Sequence, residues 1–375
     1  MITKSRLDFI DLHKGIVLLI MIEVHVFNSM LLPEIKDAAW FPIINFINGL
    51  VAPSFIFVSG FAFSFSGPEK LKELRRFRLP FWKQISRLLL IILAGYSLRI
   101  PFSLTDTLAK SGANELAPFL IVDVLQCIGI GLLLLMFIRM LIKDDKVLAV
   151  VLIVLSMLIM IVSPLMWNAE LNNYLPNFIA NYFTNKYGSL FPVFPWFTFM
   201  LTGYLFGYYF TLARKYGKIE SYFKYNYYIA FALIIIGHLT VTTFSPFHLE
   251  MPRPNIFFFI LRLGYILFLF SACKSITDKF DLKNSFLLNI SRASLLVYWL
   301  HLILIFGFFW GGKSLVTIIG PTLDIFQSLL MTLGLIIVMV LIANTWAKVK
   351  IKNLELSQKI TVGFVAVLII VYLIR

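Results

Sequence analysis

The sequence has little charge and almost no cysteine. Charged side chains make up 14% of the 375 residues, whereas a soluble domain usually carries about 25%. The chain therefore has too little polar surface to fold as soluble domains. Its two cysteines, Cys127 and Cys273, lie inside apolar runs and are predicted to be small core residues, which argues against a disulfide scaffold, a redox pair and a zinc site.

Common hydrolase and zinc-site motifs are absent as well. The chain contains no G-x-S-x-G, no C-x-x-C and no H-E-x-x-H pattern. Their absence argues against a standard hydrolase and a zinc enzyme. We expect no metal and no permanently bound cofactor.

What the sequence does contain is long apolar segments. Hydrophobic residues make up 60% of the chain, and the mean hydropathy is +0.88. A helix needs about 20 mostly apolar residues to cross a bilayer, and eleven segments qualify, at roughly 9–32, 41–66, 86–102, 118–142, 147–167, 191–213, 227–245, 256–273, 286–310, 322–346 and 359–374. We predict an all-α, polytopic transmembrane helical bundle of about 11 spans, or 10 if the last does not cross. The whole chain, 1–375, is predicted to be a single integral-membrane domain.

The net charge of +14 is interpreted through the position of the charges. In a membrane protein an excess of Lys and Arg marks the cytosolic loops, so no nucleic-acid partner is inferred. With the N-terminus inside, 23 of the 33 Lys and Arg fall in cytosolic segments, 6 fall outside and 4 lie at membrane depth. The most basic loop, 67–87, fits attraction to anionic lipid or docking of a phosphate-bearing cytosolic donor.

Polar residues inside the first apolar segment are the strongest functional signal, because charges in hydrocarbon are costly. At 100° per residue, Asp11, Lys14 and His25 share one stripe, with Lys14 and His25 roughly 16 Å apart along the axis. Asp11 and Lys14 can pair at i, i+3, whereas Glu23 points away from His25. A histidine here is either a hydrogen-bonded structural residue or a general base, for which its usual pKa near 6.5 is suited.

Other apolar segments carry polar residues too. Ser294, Tyr298 and His301 share one face of the ninth segment, where they tie helices together or line a site. Asp123 and Gln126 are spaced i, i+3 in the fourth segment. An ion pair between Asp123 and Arg262 of the eighth segment is a further option that spacing alone does not decide.

Five pieces of the chain form an ordered set. They read RLDFIDLHKGIVLLIMIEVHVFN, LVAPSFIFVSGFAFSFS, RLLLIILAGYSLRIP, VDVLQCIGIG and SLFPVFPWFTFMLTGYLFGYYF. Together they resemble the heparan-α-glucosaminide N-acetyltransferase catalytic-domain family, and SRASLLVYWLHLILI is similar to a form shared with the acyltransferase-3 family. The resemblance covers about 1–310 and leaves 322–375 as extra C-terminal spans.

The resemblance implies a transmembrane acyltransferase. It would move an acyl group, usually acetyl, from cytosolic acyl-CoA as co-substrate to a sugar or other hydroxyl or amine acceptor on the outer side. The expected partners are acyl-CoA, an extracytoplasmic glycan or other small acceptor, and the lipid bilayer, with a homo-oligomer left open. The expected location is a bacterial cytoplasmic membrane.

The resemblance also suggests roles for residues. Acyltransferase-3 relatives mark the first span with an arginine and, after ten intervening residues, a histidine; Lys14 and His25 keep this spacing with lysine in place of arginine. The following loop, EIKDAAW, lacks the histidine used by the animal lysosomal branch, which leaves His25 as the local candidate. His25 is the expected general base, with Lys14 at the donor and Asp11 holding Lys14. The expected substrate- and donor-binding residues are Arg75, Arg76, Arg78, Arg87, Gln126, Trp196, Arg262, Tyr298 and His301.

A transporter of small molecules or lipids is the alternative function. In that case the same stripe would carry protons or substrate. Helices broken by Gly or Pro in two corresponding halves would support this function, and Ala52-Pro53 and Pro192–Pro195 are the nearest candidates in the sequence.

The charge distribution predicts a cytosolic N-terminus and, with eleven spans, an outer C-terminus. A reporter fused to the C-terminus should be active only outside the cytosol, and a control fusion in the 67–87 loop only inside it. A C-terminal reporter active only in the cytosol would contradict eleven spans, and 359–374 would be the first segment to remove.

Overall fold

The computed structural model describes residues 7–66, 68–99, 103–105, 119–244, 253–282, 285–307 and 313–374. These residues are mainly helical and form no strand; an isolated bridge joins Leu31 to Leu323. The predicted all-α fold class is confirmed.

The described residues form seventeen α-helices. In chain order they are α1 (Asp8–Met30), α2 (Pro33–Lys36), α3 (Phe41–Asn48), α4 (Val51–Ser64), α5 (Pro68–Arg75), α6 (Leu79–Ser97), α7 (Val124–Leu141), α8 (Asp145–Trp167), α9 (Asn177–Ala180), α10 (Val193–Lys215), α11 (Ile219–Phe244), α12 (Ile256–Lys279), α13 (Phe286–Arg292), α14 (Ser294–Phe306), α15 (Leu315–Ile319), α16 (Ile325–Lys352) and α17 (Leu354–Ile374).

The chain is a multi-pass membrane protein. Within the described residues, seven helical segments are long and apolar enough to cross a bilayer: α3 together with α4, and α7, α8, α11, α12, α16 and α17. The bent pair α13–α14 makes an eighth if it counts as one span. Three other predicted spans coincide with α1, α6 and α10, which are not among these seven helical segments. The count of eleven crossings therefore stays a prediction.

The expectation of one continuous helix over 286–310 is wrong. The helix stops at Arg292 and restarts at Ser294 with a bend of 86°. Ala293 at the break has φ −107° and ψ 21°, which is not helical. Neither glycine nor proline occurs between residues 286 and 306, so the usual sequence marker of a kink is missing.

Contacts between helices divide the chain into two compact units whose segments alternate along the sequence. Unit 1 comprises Met1–Val51, Leu98–Phe119 and Ala272–Arg375, and unit 2 comprises Ala52–Ser97 and Leu120–Ser271. In unit 1, α1 packs against α3, α13, α14, α15 and α16. In unit 2, α10 packs against α7, α8 and α11, and α6 packs against α5 and α7. The single domain over 1–375 stays a prediction.

Glycines allow two helices of unit 2 to touch through their backbones. A Cβ added to Gly60 of α4 would lie 2.0 Å from the carbonyl oxygen of Met200, and one added to Gly203 of α10 would lie 2.0 Å from that of Phe57. Small residues of this kind are how membrane helices approach closely. Ser59, which precedes Gly60, donates its hydroxyl to the carbonyl of Phe55 within the same helix.

Buried and outward-facing side chains follow the membrane pattern. Cys127 and Cys273 are buried and form no disulfide, as predicted. Large apolar side chains are exposed along α11, α16 and α17, and only 6% of the most apolar 18-residue stretch of α17 is buried. Contiguous apolar surface of this extent is rare on soluble monomers, whereas hydrocarbon covers it without cost.

Substituting Gly15 by alanine should destabilise unit 1. The new Cβ would lie 2.4 Å from the backbone oxygen of Leu287 on α13, so a helix must move, and overpacking of this kind costs about 1–3 kcal/mol. Thermal unfolding in a single detergent measures the effect. Gly334→Ala on α16 is the matched control, since nothing lies within 4 Å of its added Cβ; equal midpoints for the two variants would show that α1 and α13 do not pack this closely.

Candidate functional site

The first part of the site is a charged group that joins the start of α1 to the break between α13 and α14. Asp11 is buried, and Ser291 donates its hydroxyl to Asp11 Oδ1 at 3.2 Å. Arg292 places Nε 3.5 Å from Asp11 Oδ2 and Nη2 3.8 Å from Asp8 Oδ1. A buried carboxylate needs such partners because desolvation is costly. We call Asp8, Asp11, Ser291 and Arg292 the anchor cluster.

Lys14 extends the anchor cluster by one turn of α1. It is half-buried, and its Nζ donates to the backbone carbonyl of Ser291 at 3.4 Å. The last carbonyls of a helix lack intrahelical donors, so a lysine ammonium at the end of α13 also interacts favourably with the helix dipole. The predicted pairing of Lys14 with Asp11 stays a prediction.

The second part of the site is a pair of histidines further along α1. The ring centroids of His25 and His301 are 5.4 Å apart, and the ring planes are inclined by 40°. Phe306 lies edge-on to His25 at 5.6 Å, and Tyr298 lies edge-on to His301 at 5.8 Å. His25 is half-buried and His301 fully buried. We call His25 and His301 the histidine pair.

The anchor cluster and the histidine pair share one side of α1. Asp11 and Lys14 contact Ser291 on α13, and His25 contacts His301 on α14. The predicted common face of Asp11, Lys14 and His25 is therefore present. Glu23 has Asn48 of α3 as its polar neighbour, in keeping with the prediction that it points away from His25.

Sequence reasoning missed the anchoring role of Ser291 and Arg292. Both precede the break at Ala293, and a continuous helix would have placed them on another side from His301. The polar run SRAS inside an apolar segment is the available signal, since Ser side chains favour helix ends over helix interiors.

The predicted donor-binding arginines lie in unit 2, and one of them supports a helix end. Arg75 donates from Nε to the carbonyl of Met140 at 2.9 Å and from Nη2 to that of Arg139 at 3.1 Å. Arg76 pairs with Glu73 at 2.8 Å. The two remaining arginines, Arg78 and Arg87, are exposed. A role in donor binding stays a prediction for all four.

Gln126, on α7 of unit 2, is fully buried and packs against Gly95 of α6. Its amide makes no hydrogen bond within the described part of the chain, so the i, i+3 pairing with Asp123 is wrong. The reason is that Asp123 has extended dihedrals, φ −100° and ψ −177°, and the helix begins only at Val124.

Trp196 and Arg262 belong to an aromatic group in unit 2. Trp196 is 1% exposed, and its ring lies 5.9 Å from that of Phe258. The guanidinium of Arg262 lies 4.5 Å from the Phe258 centroid, and that of Arg253 lies 5.5 Å from the Trp196 ring. The group is a set of cation–π contacts. A substrate role for Trp196 or Arg262 stays a prediction, as does the Asp123–Arg262 ion pair.

Clusters suited to a metal are not found where the structure can be described. No three His, Cys, Asp or Glu side chains come together there. The absence of a resident metal remains an expectation from the sequence.

The helices and the site define a class: a helical, multi-pass membrane protein with ionisable side chains along one side of its first long helix. The model of the family described as heparan-alpha-glucosaminide N-acetyltransferase, catalytic, matches residues 6–244. This match spans more than half of the chain, which therefore belongs to that family and is a membrane acetyltransferase. None of the curated proteins matches the sequence.

Replacing Arg292 by alanine should destabilise the fold through Asp11. The change removes the guanidinium that forms an ion pair with the buried Asp11 carboxylate, and leaving a buried polar group without its partner costs about 1–3 kcal/mol. Adding Asp11→Asn should recover part of the loss, because the charge then disappears as well. Arg76→Ala, which breaks an exposed pair with Glu73, is the control and should cost about 0–1 kcal/mol. Equal losses for the two arginine variants in detergent unfolding would contradict the anchor cluster.

Proposed function

We propose that this membrane acetyltransferase uses cytosolic acyl-CoA and delivers the acyl group to a sugar, or another hydroxyl or amine acceptor, on the outer side. The observation that carries the proposal is the polar side of α1. It presents Lys14 and His25 at two depths, roughly 16 Å apart along the axis, and both contact the same broken helix. A cation at one depth and an imidazole at the other suit a donor anchored at one end and reacting at the other.

The donor end is the anchor cluster with Lys14. The phosphates of acyl-CoA are anionic, and Lys and Arg supply both charge and hydrogen-bond donors for them. Lys14 directs its ammonium to a backbone carbonyl of the broken helix, and an ammonium carries three N–H donors in all. The exposed Arg78 and Arg87 of the basic loop lie in unit 2, and phosphate binding by these two arginines is a separate proposal.

The chemical step is placed at His25. Its imidazole takes the proton from the acceptor hydroxyl or amine as the acceptor oxygen or nitrogen attacks the thioester carbon. The carbon–sulfur bond then breaks, and the CoA thiolate receives the proton from His25. A histidine in this position serves first as general base and then as general acid.

The proposed orientation places the N-terminus and the basic loop in the cytosol and the acceptor outside, in a bacterial cytoplasmic membrane. The support is the excess of Lys and Arg in alternate loops. With this orientation Lys14 lies on the side of cytosolic acyl-CoA, and His25 lies on the side of the acceptor.

The transporter alternative draws on one feature, the break at Ala293. Discontinuous helices build substrate sites in many transporters, usually as a pair in two repeats. A single bent pair of this kind occurs in the described ranges. Binding of acyl-CoA separates the two functions, since a transporter of another solute has no use for it.

One crossed experiment tests the proposal. Acyl-CoA affinity and acyl transfer are measured on the purified protein and on two variants. Lys14→Ala should weaken donor binding in protein that remains folded in the membrane. His25→Ala should keep donor binding and lower turnover by ~10²–10⁴-fold, the usual cost of losing a general base.

Two controls make the comparison sharp. Lys359→Ala removes an exposed lysine that pairs with Glu355 on α17, and His238→Ala removes a histidine that hydrogen-bonds Tyr265 in unit 2. Both should behave as the unmodified protein does. Unchanged acyl-CoA affinity in Lys14→Ala contradicts the proposal that the donor binds at Lys14. If His25→Ala keeps more than about a tenth of the turnover, well short of the loss of a general base, His25 is structural. If the unmodified protein does not bind acyl-CoA, the transporter function is favoured.

A further inference from the structure

His301 has a defined tautomer. Its Nδ1 lies 2.7 Å from the backbone carbonyl of Val297, one turn earlier in α14. A carbonyl oxygen can only accept, so Nδ1 carries the hydrogen and Nε2 of the neutral ring carries a lone pair. The helix backbone thus turns His301 into a hydrogen-bond acceptor at Nε2.

The Nε2 acceptor of His301 is unused. The residue is 0% exposed, and within the described ranges Nε2 has no hydrogen-bond partner. Buried polar atoms are normally satisfied, and those that are not call for an explanation because they cost stability.

The residue positioned to use this acceptor is His25. Ring centroids 5.4 Å apart leave room for one nitrogen–nitrogen hydrogen bond of about 3 Å. The rings of Phe306 and Tyr298 lie beside the pair and restrict the directions in which the imidazoles can turn. His25 is half-buried and His301 fully buried, so His25 is the accessible member of the pair.

We propose that His301 is the positioning residue of the transfer reaction: its Nε2 accepts an N–H from His25 and so directs the other nitrogen of His25 at the acceptor. This rests on the proposed acyl transfer and deepens it. When His25 takes the acceptor proton, both of its nitrogens carry hydrogen, and Nε2 of His301 stabilises the resulting imidazolium. The proton then leaves with the CoA thiolate, so His301 neither gains nor loses a proton over the cycle.

Two amide substitutions separate this role from a structural one. His301→Gln places an amide near the position of Nε2 and loses the contact at Nδ1, whereas His301→Asn keeps a polar group near Nδ1 and loses the acceptor at Nε2. We expect His301→Gln to retain turnover within a few-fold, and His301→Asn to lower kcat by about 10–100-fold, the size of effect known for removing the group that orients a metal-bound histidine. KM and donor affinity should stay unchanged in both.

The ranking of the two variants decides the question. A structural role through Val297 predicts the reverse order, with His301→Asn the more active. That order, or equal activity of the two variants, overturns the proposal. In a His25→Ala background the two His301 substitutions should have no further effect on residual turnover, because His301 acts through His25.

A measurement on the unmodified protein covers the case in which the variants do not fold. Nitrogen NMR of histidine-labelled protein distinguishes the Nδ1–H tautomer from the Nε2–H tautomer, and we expect His301 in the Nδ1–H form. Finding it in the Nε2–H form overturns the inference and leaves the proposed function standing. If the unmodified protein transfers no acyl group in the same assay, the proposed function fails, and the inference fails with it.

Discussion

The structure of unit 1 depends on the burial of one carboxylate. Asp11 lies in an apolar surrounding, where an ion without partners would be far too costly, and its partners Ser291 and Arg292 come from a segment 280 residues away. Those two residues are available because α13 ends beside α1 and does not continue into α14. The break in the helix therefore supplies the partners that the Asp11 carboxylate needs. These contacts fix the position of α1 along the broken helix.

Once α1 is held at this end, the other polar contacts follow from helix geometry. His25 lies fourteen residues after Asp11, about 21 Å further along the axis and within 40° of the same face. It therefore meets α14 and not α13. The aromatic rings of Tyr298 and Phe306 flank the two imidazoles. A charged contact at one end of the helix thereby sets which side chains meet at the other.

Much of this arrangement could be predicted from the sequence, and the rest could not for physical reasons. Long apolar segments identify the fold class, and the 100° rotation per residue places Asp11, Lys14 and His25 on one side. The meeting of His25 with His301 is a long-range contact that periodicity in a single helix does not contain. The break at Ala293 could not be predicted from the sequence because no glycine or proline marks it. The sequence shows the charge of Arg75 but not the backbone carbonyls of Arg139 and Met140, at the end of α7, to which it donates.

Because α14 begins at the bend at Ala293, a small rotation at the bend displaces the distant part of α14. His301 lies eight residues beyond Ala293, about 12 Å along the helix, so a rotation of about 10° at the bend would carry the imidazole about 2 Å sideways. Reacting groups lose about 10²-fold in rate when displaced by about 1 Å. The position of His301 relative to His25 therefore depends on the contacts of Ser291 and Arg292 with Asp11, which lie on the other side of the bend. A small rotation at the anchor cluster therefore produces a larger displacement of the His301 ring.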